Sequence, residues 1–319
     1  MRQDERPIKS FDVLEPESGA TRRDSSLISE SKQLVNGEGA IRSPFSLRVG
    51  DEDLDLQSRI LVMGILNRTP DSFYDRGRYF ELDAALRRAE RMIEEGADIV
   101  DVGGQKAGPG DHVSPQEEID RVCPVIQRLA AEKRAIVSVD TFVAEVASAA
   151  LEAGAQIVND ISGLADPEMA SVAAAKGAAL VITHIKGKPR VPNPSPHYED
   201  VVAEVLEFLA DRVRYAVEVG VDPRSIVLDA GLDLGKSPAQ SLALLEATSS
   251  ITSLGYPVLV SASNKPFIGA ALGLPVEKRL VPTLAAVSYA VAKGARLVRV
   301  HNVAEVKLAM KMLEAILRS

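Results

Sequence analysis

From Arg59 onward the chain repeats one unit: a stretch with helical spacing, a glycine, then a short strand that is apolar at almost every position. Gly96, Gly154, Gly177, Gly220, Gly255 and Gly294 take the glycine place. The residue that follows a helix often needs left-handed dihedrals, which glycine adopts without steric cost. In the first helical stretch Leu82, Ala85, Ala89, Met92 and Ile93 share one face. The strands read ILVMGIL, DIVDV, AIVSV, AQIVN, ALVIT, SIVLD, PVLVS and RLVRV. Strands apolar on both faces belong to a parallel sheet covered by helices. Eight such units in about 260 residues predict an α/β fold, the closed (β/α)8 TIM barrel. The alternative is an open doubly wound sheet, but its GxGxxG turn does not occur here.

The segments before Arg59 read differently. Residues 1–44 are rich in Ser, Arg, Asp and Glu and offer few consecutive apolar residues. Such a segment cannot bury enough surface to offset its ordering entropy, so a flexible tail is expected, followed by one barrel domain over 45–319. Residues 45–58 alternate around Gly50-Asp51 and predict a short N-terminal β-hairpin able to plug the bottom of the barrel. The formal net charge of −8 argues against general affinity for nucleic acid or an anionic membrane. No apolar run is long enough to span a bilayer and no apolar signal core opens the chain. Cys123 is the only cysteine, which excludes an intramolecular disulfide and a cysteine metal cluster and suits the cytoplasm. The four histidines show no HExxH pairing, so no zinc site is expected.

Every strand ends in polar residues: Asn67, Asp101, Asp140, Asn159 with Asp160, His184, Asp229, Ser261 with Ser263, and Arg299 with His301. In a TIM barrel the C-terminal strand ends ring the mouth where active sites lie. One polar strand end is ordinarily a cap, and eight in succession point to a shared ligand site. Asp140, Asn159 and Asp229 supply acceptors and one amide, the set that suits a heterocycle carrying an amino group, a ring N–H and a carbonyl. Lys265 can donate to the ring carbonyl. Arg299 and His301 lie two apart, so they point the same way and suit an anion such as a phosphate. Asn67 suits an anion or a hydrated Mg2+. His184 reads as an interior histidine with a backbone partner, and His112 and His197 as loop residues.

The stretch MGILNRTPDSFYDRG (63–77) resembles the first signature of the dihydropteroate synthases, MGILNVTPDSFSDGG. SVDT (138–141), IVNDISG (157–163), LDAGLDLGK (228–236), SASNKPFIG (261–269) and RVHNV (299–303) follow in that family's order and spacing. The resemblance spans roughly residues 46–319. It implies condensation of 6-hydroxymethyl-7,8-dihydropterin diphosphate with p-aminobenzoate, releasing diphosphate, in folate biosynthesis. It also implies a pterin pocket at Asp140, Asn159, Asp229 and Lys265, with Mg2+ and diphosphate at Asn67, Arg299 and His301. A homodimer is implied as well.

The departures from that pattern cluster on the second-substrate side. GGESTRPG becomes GGQKAGPG (103–110), so Ala107 and Gly108 stand where the family has Thr and Arg, and Lys106 is new. SRKS becomes SNKP, placing Asn264 and Pro266 there. Arg68, Asp233, Tyr74 and Arg76 also depart. The pattern resembles a divergent second paralogue with an altered second-substrate site. Three readings follow: a pterin-diphosphate transferase using p-aminobenzoate or another amine, a non-catalytic pterin-binding protein, and a pterin-dependent methyltransferase. Lys265 within SNKPFIG and the RVHNV end argue against the third.

Overall fold

The computed structural model describes residues 43–69, 81–193 and 195–319. Nearly all of the expected tail lies outside these residues, as do Tyr74 and Arg76. The hairpin comes first, β1 (Ser46–Val49) pairing antiparallel with β2 (Glu52–Asp55) around Gly50, whose φ is 58°. Eight parallel strands follow: β3 (Leu61–Asn67), β4 (Ile99–Gly103), β5 (Ile136–Asp140), β6 (Ile157–Asp160), β7 (Ala179–Thr183), β8 (Ile226–Asp229), β9 (Leu259–Val260) and β10 (Leu297–Val300). Each pairs with its sequence neighbour from β3 through β8, and β10 lies between β9 and β3. A parallel bridge from Leu228 to Val258, with the Leu228 N–H donating to the Pro257 carbonyl at 2.9 Å, closes β8 onto β9. The sheet is therefore a closed TIM barrel rather than an open doubly wound sheet.

The helices that cover it are α1 (Leu82–Glu94), α2 (Pro115–Glu132), α3 (Ala144–Glu152), α4 (Met169–Lys176), α5 (Val201–Val219), α6 (Pro238–Glu246), α7 (Thr248–Thr252), α8 (Pro266–Leu272), α9 (Leu280–Ala292) and α10 (Val303–Leu317). No helix among the described residues is long and apolar enough to cross a membrane. All six glycines of the repeat have positive φ, between 63° and 111°. At the end of α2 the left-handed residue is Lys133, with φ 52°, a helix end that a search for glycine passes over. On α1, Ala85, Ala89 and Met92 are buried as expected, whereas Leu82, the first helical residue, is 36 % exposed.

Side chains of successive strand residues point to opposite faces, and this divides the core in two. Val62, Leu66, Val100, Val139 and Ile182 pack outward against the helices. Leu61, Met63, Ile99, Ile157, Val181 and Leu297 fill the barrel interior together with Leu47, Val49, Leu54 and Leu56 of the hairpin, which plugs the lower end. The same alternation continues upward. With Ile99 inward, Asp101 is inward; with Ile157 inward, so is Asn159; with Leu297, so is Arg299. The polar strand ends stand on top of a packed apolar column.

Candidate functional site

Arg299 anchors the barrel mouth. Its Nε donates to Asp101 Oδ2 at 2.6 Å and its Nη2 to Asp140 Oδ2 at 2.5 Å. Asn159 Nδ2 donates to the same Asp101 oxygen at 3.0 Å. One arginine thus ties together the ends of β4, β5 and β10, with β6 joined through Asn159. Burial works against the Arg299 charge, but Asp101 and Asp140 more than offset it and hold the guanidinium above its ordinary value. Burial pushes the Asp140 carboxyl up to about 7, against the pull of Arg299. Two of the five guanidinium N–H groups are committed to carboxylates, so Arg299 keeps donors for a further anion.

A second group stands across the mouth. Asp229 Oδ1 accepts from the Gly231 N–H at 2.7 Å, and burial raises its pKa while Lys265 opposes the rise. Lys265 Nζ donates to the Leu232 carbonyl at 2.6 Å; burial lowers its pKa, and Asp229 and Asp233 pull it back. The His301 N–H donates to Ser263 Oγ at 3.1 Å, and the same hydroxyl lies 3.0 Å from His301 Nδ1. Burial, with Arg299 next, lowers the His301 pKa to about 3, so the ring is neutral near pH 7. His301 therefore offers an anion a hydrogen bond and not a charge.

These residues surround a cleft of about 470 Å³, within the range of small-molecule sites. Asn67, Asp140, Lys265, Arg299 and His301 line its inner part, and Lys106, Ala107 and Gly108 line its outer part. Asn159 and Asp229, 2 % and 4 % exposed, stand at the ends of β6 and β8 at the same mouth. Asn264 does not reach the cleft. Its φ of 56° turns it into the protein, where Nδ2 donates to Asn302 Oδ1 at 3.2 Å and the backbone N–H to Thr283 Oγ1 at 3.0 Å. Arg68 is also buried and donates to the Arg121 carbonyl, so it adds no charge to the cleft wall. Asp160 faces away from the interior and caps its own loop, accepting from the N–H groups of Ser162 and Leu164 at 2.7 Å each.

Other groups that shape the site carry no signal in the strand pattern. His184 is interior, as expected, but its partner is Lys236, whose Nζ lies 2.8 Å from Nδ1 and donates to the carbonyls of Gly231, Leu234 and His184. Burial lowers the Lys236 pKa to about 7. The lysine of the GLDLGK stretch is therefore a tether for its own loop. Glu118, fully buried at the start of α2, accepts from Gln105 Nε2 at 2.5 Å, and Gln105 Oε1 accepts from Arg190 Nη1 at 3.2 Å. Asp233 Oδ2 accepts from the Phe267 N–H at 3.1 Å, holding the loop after β8 to α8.

Residues 63–301 match the family model described as a pterin binding enzyme. The chain is 44 % identical over 266 residues to the dihydropteroate synthase of Bacillus subtilis, covering 83 % of this chain and 91 % of that one. It is equally 44 % identical, over 264 residues, to the inactive dihydropteroate synthase 2 of Mycobacterium leprae, covering 81 % and 91 %. The structure of the Xanthomonas albilineans dihydropteroate synthase with 4-aminobenzoic acid superposes with a TM-score of 0.78 at 40 % identity, covering 86 % and 98 %.

Proposed function

The chain belongs to the dihydropteroate synthase family, and on that footing we propose that its cleft binds 6-hydroxymethyl-7,8-dihydropterin diphosphate and transfers the pterin to an aromatic amine. The observation that carries this reading is the joining of Asp140 to Arg299 at the inner end of the cleft, with Lys265 and His301 beside them. Asp140, Asn159 and Asp229 would accept from the pterin amino and ring N–H groups, and Lys265 would donate to its carbonyl. The N–H groups of Arg299 not held by Asp101 and Asp140 face the diphosphate, together with neutral His301. As the bond from the pterin methylene to diphosphate breaks, these donors stabilise the departing charge and the amine attacks the carbon. Asp140 and Asp101 hold the guanidinium in place for that role.

Mg2+ fits the donor set in a limited way. No group of three His, Cys, Asp or Glu among the described residues could hold a metal by itself. Asn67 lines the cleft, and Mg2+ commonly takes one or two protein oxygens and completes its shell with phosphate and water. Asn67 would hold it, and the ion would neutralise charge on the leaving diphosphate. A cytoplasmic homodimer completes the reading. Val281, Leu308 and Met312 on α9 and α10 are 73 %, 70 % and 62 % exposed, apolar surface that a second copy would cover.

p-Aminobenzoate should be a poor partner. Ala107 and Gly108 stand at the outer cleft where the family carries a hydroxyl and a guanidinium, and inward-turned Asn264 does not supply the missing second guanidinium. Two lost charged hydrogen bonds at about 1.5–3 kcal/mol each imply roughly 10²- to 10⁴-fold weaker transition-state binding. The same departures, and the inactive relative, favour a binding-only protein as the second reading. Calorimetry with 6-hydroxymethylpterin and a mass-resolved assay of diphosphate release with p-aminobenzoate decide the matter. Pterin binding is expected in both readings, and Asp229→Ala should weaken it by at least about 2 kcal/mol by leaving ligand donors unpaired. Absence of binding at millimolar pterin would overturn both. A kcat/KM within tenfold of a standard synthase would overturn the altered second-substrate site.

A further inference from the structure

The outer half of the cleft carries positive charge that a single benzoate carboxylate does not match. The loop after β7 brings Lys186, Lys188 and Arg190 to one wall, and Lys106 comes from the loop after β4 on the other. The two loops are joined where the Arg190 N–H donates to the Ala107 carbonyl at 2.9 Å. Lys186 is neutralised by Glu204 at 2.7 Å. Among the described residues the Arg190 guanidinium is held by uncharged oxygens, Gln105 Oε1 at 3.2 Å and the Asp111 carbonyl. Lys188 is exposed and forms no ion pair among the described residues. The two carboxylates lining the cleft face other cations: Asp140 is bound to Arg299, and the charge of Lys265 acts on Asp233. In a chain whose net charge is −8 this is a local excess of opposite sign, which raises the local concentration of anions. The same cleft is lined by apolar Ile65, Leu232 and Pro266, suited to a flat ring.

We propose that the amine this cleft accepts is an aromatic amine bearing at least two carboxylates, the distal one held by Lys188 and Arg190. This rests on the pterin-transfer reading above and specifies its second ligand. The ring lies against the apolar wall with its amine toward the pterin methylene. In transfer, the amine nitrogen bonds to that carbon, the carbon–oxygen bond to diphosphate breaks with its electron pair leaving on diphosphate, and the amine proton passes to solvent. The Arg190 guanidinium is fixed by Gln105 Oε1 and the Asp111 carbonyl, so little side-chain entropy is lost when it takes the acid.

The test is calorimetry on the full chain saturated with 6-hydroxymethylpterin and inorganic diphosphate. Three probes are compared: 4-aminobenzamide, p-aminobenzoate and N-(4-aminobenzoyl)-L-glutamate. The last should bind at least tenfold tighter than p-aminobenzoate, about 1.4 kcal/mol, and the uncharged amide weakest of all. Lys188→Ser should bring the ratio between the two acids below threefold, and Lys188→Glu should invert it. Equal affinities for the two acids in the unmutated protein, or a preference that survives Lys188→Glu, would overturn the proposal. The ranking in the unmutated protein stands even if a variant fails to fold. Saturation with pterin is measured first, so a failure there strikes the pterin reading itself, whereas pterin binding with no preference between acids strikes only this inference.

Discussion

Glu118→Gln should make the protein more stable at pH 8 and leave it nearly unchanged at pH 4.5. Glu118 sits in the first turn of α2, fully buried under Gly104, where an added Cβ would lie 2.8 Å from its Cγ. Burial lifts its carboxyl from 4.5 to about 7; the Thr141 hydroxyl, the Gln105 amide and Arg121 pull it down by less, and Asp140 adds to the rise. The folded chain therefore keeps a proton that the unfolded chain releases across this window. Stability is full below the unfolded value, falls as pH rises toward 7, and stays low above it. The span from 4.5 to about 7, at about 1.36 kcal/mol per pH unit, amounts to about 3 kcal/mol. Glutamine has the same shape, can accept from Gln105 Nε2, and never charges. The difference in unfolding free energy between the two proteins should grow from near zero at pH 4.5 to about 3 kcal/mol at pH 8. Asp160, Asp229 and Asp233 are also raised by burial, but they titrate in both proteins and cancel, so the difference reports Glu118 together with its interaction with Asp140. Urea unfolding at five pH values measures it. A difference flat to within about 0.5 kcal/mol, or a glutamine variant less stable at pH 8, would refute the reasoning.

Arg299→Leu removes the cation between Asp101 and Asp140 and should cost about 3–5 kcal/mol in urea unfolding at pH 7; a loss below about 1 kcal/mol would mean the carboxyls do not depend on it. Two glycines with the same φ should separate backbone strain from crowding. At Gly177, φ 63° with nothing within 4 Å, alanine should cost about 1 kcal/mol, whereas at Gly231, φ 66°, the new Cβ would lie 1.8 Å from the His184 carbonyl oxygen and the cost should be several-fold larger. Similar melting temperatures for the two variants would contradict that close approach.

The barrel was legible because its evidence is periodic. Helix ends at Gly96 or Gly220 and strands such as ALVIT announce themselves within a few residues, and the eightfold repetition turns weak local signals into one architecture. The hairpin was legible for the same reason, from alternation around Gly50. What stayed hidden depends on contacts far apart in sequence. Nothing near Arg68 signals that it will lie under the Arg121 carbonyl. Nor does anything near Asn264 signal a left-handed backbone that sends its amide to Asn302. The resemblance places both on the second-substrate side, whereas in the structure their neighbours Asn67, Thr69, Ser263 and Lys265 line the cleft and they do not.

The inner and outer parts of the cleft differ in the same respect. The inner part is set by strand register. Asp140 pairs with Asn159 and Gly103 with Asp140, so once Ile99 and Ile157 fill the barrel, Asp101 and Asn159 must point inward and Asp160 must point out. A slip by one residue would bury the charges against the helices, which the apolar column forbids. The outer part has no such constraint. Lys106, Lys188 and Arg190 stand on loops outside the strand register, and exchanging them costs the barrel little. On the proposal above, a chain can keep the inner cleft fixed by strand register while exchange of loop charges such as Lys188 changes the amine it accepts.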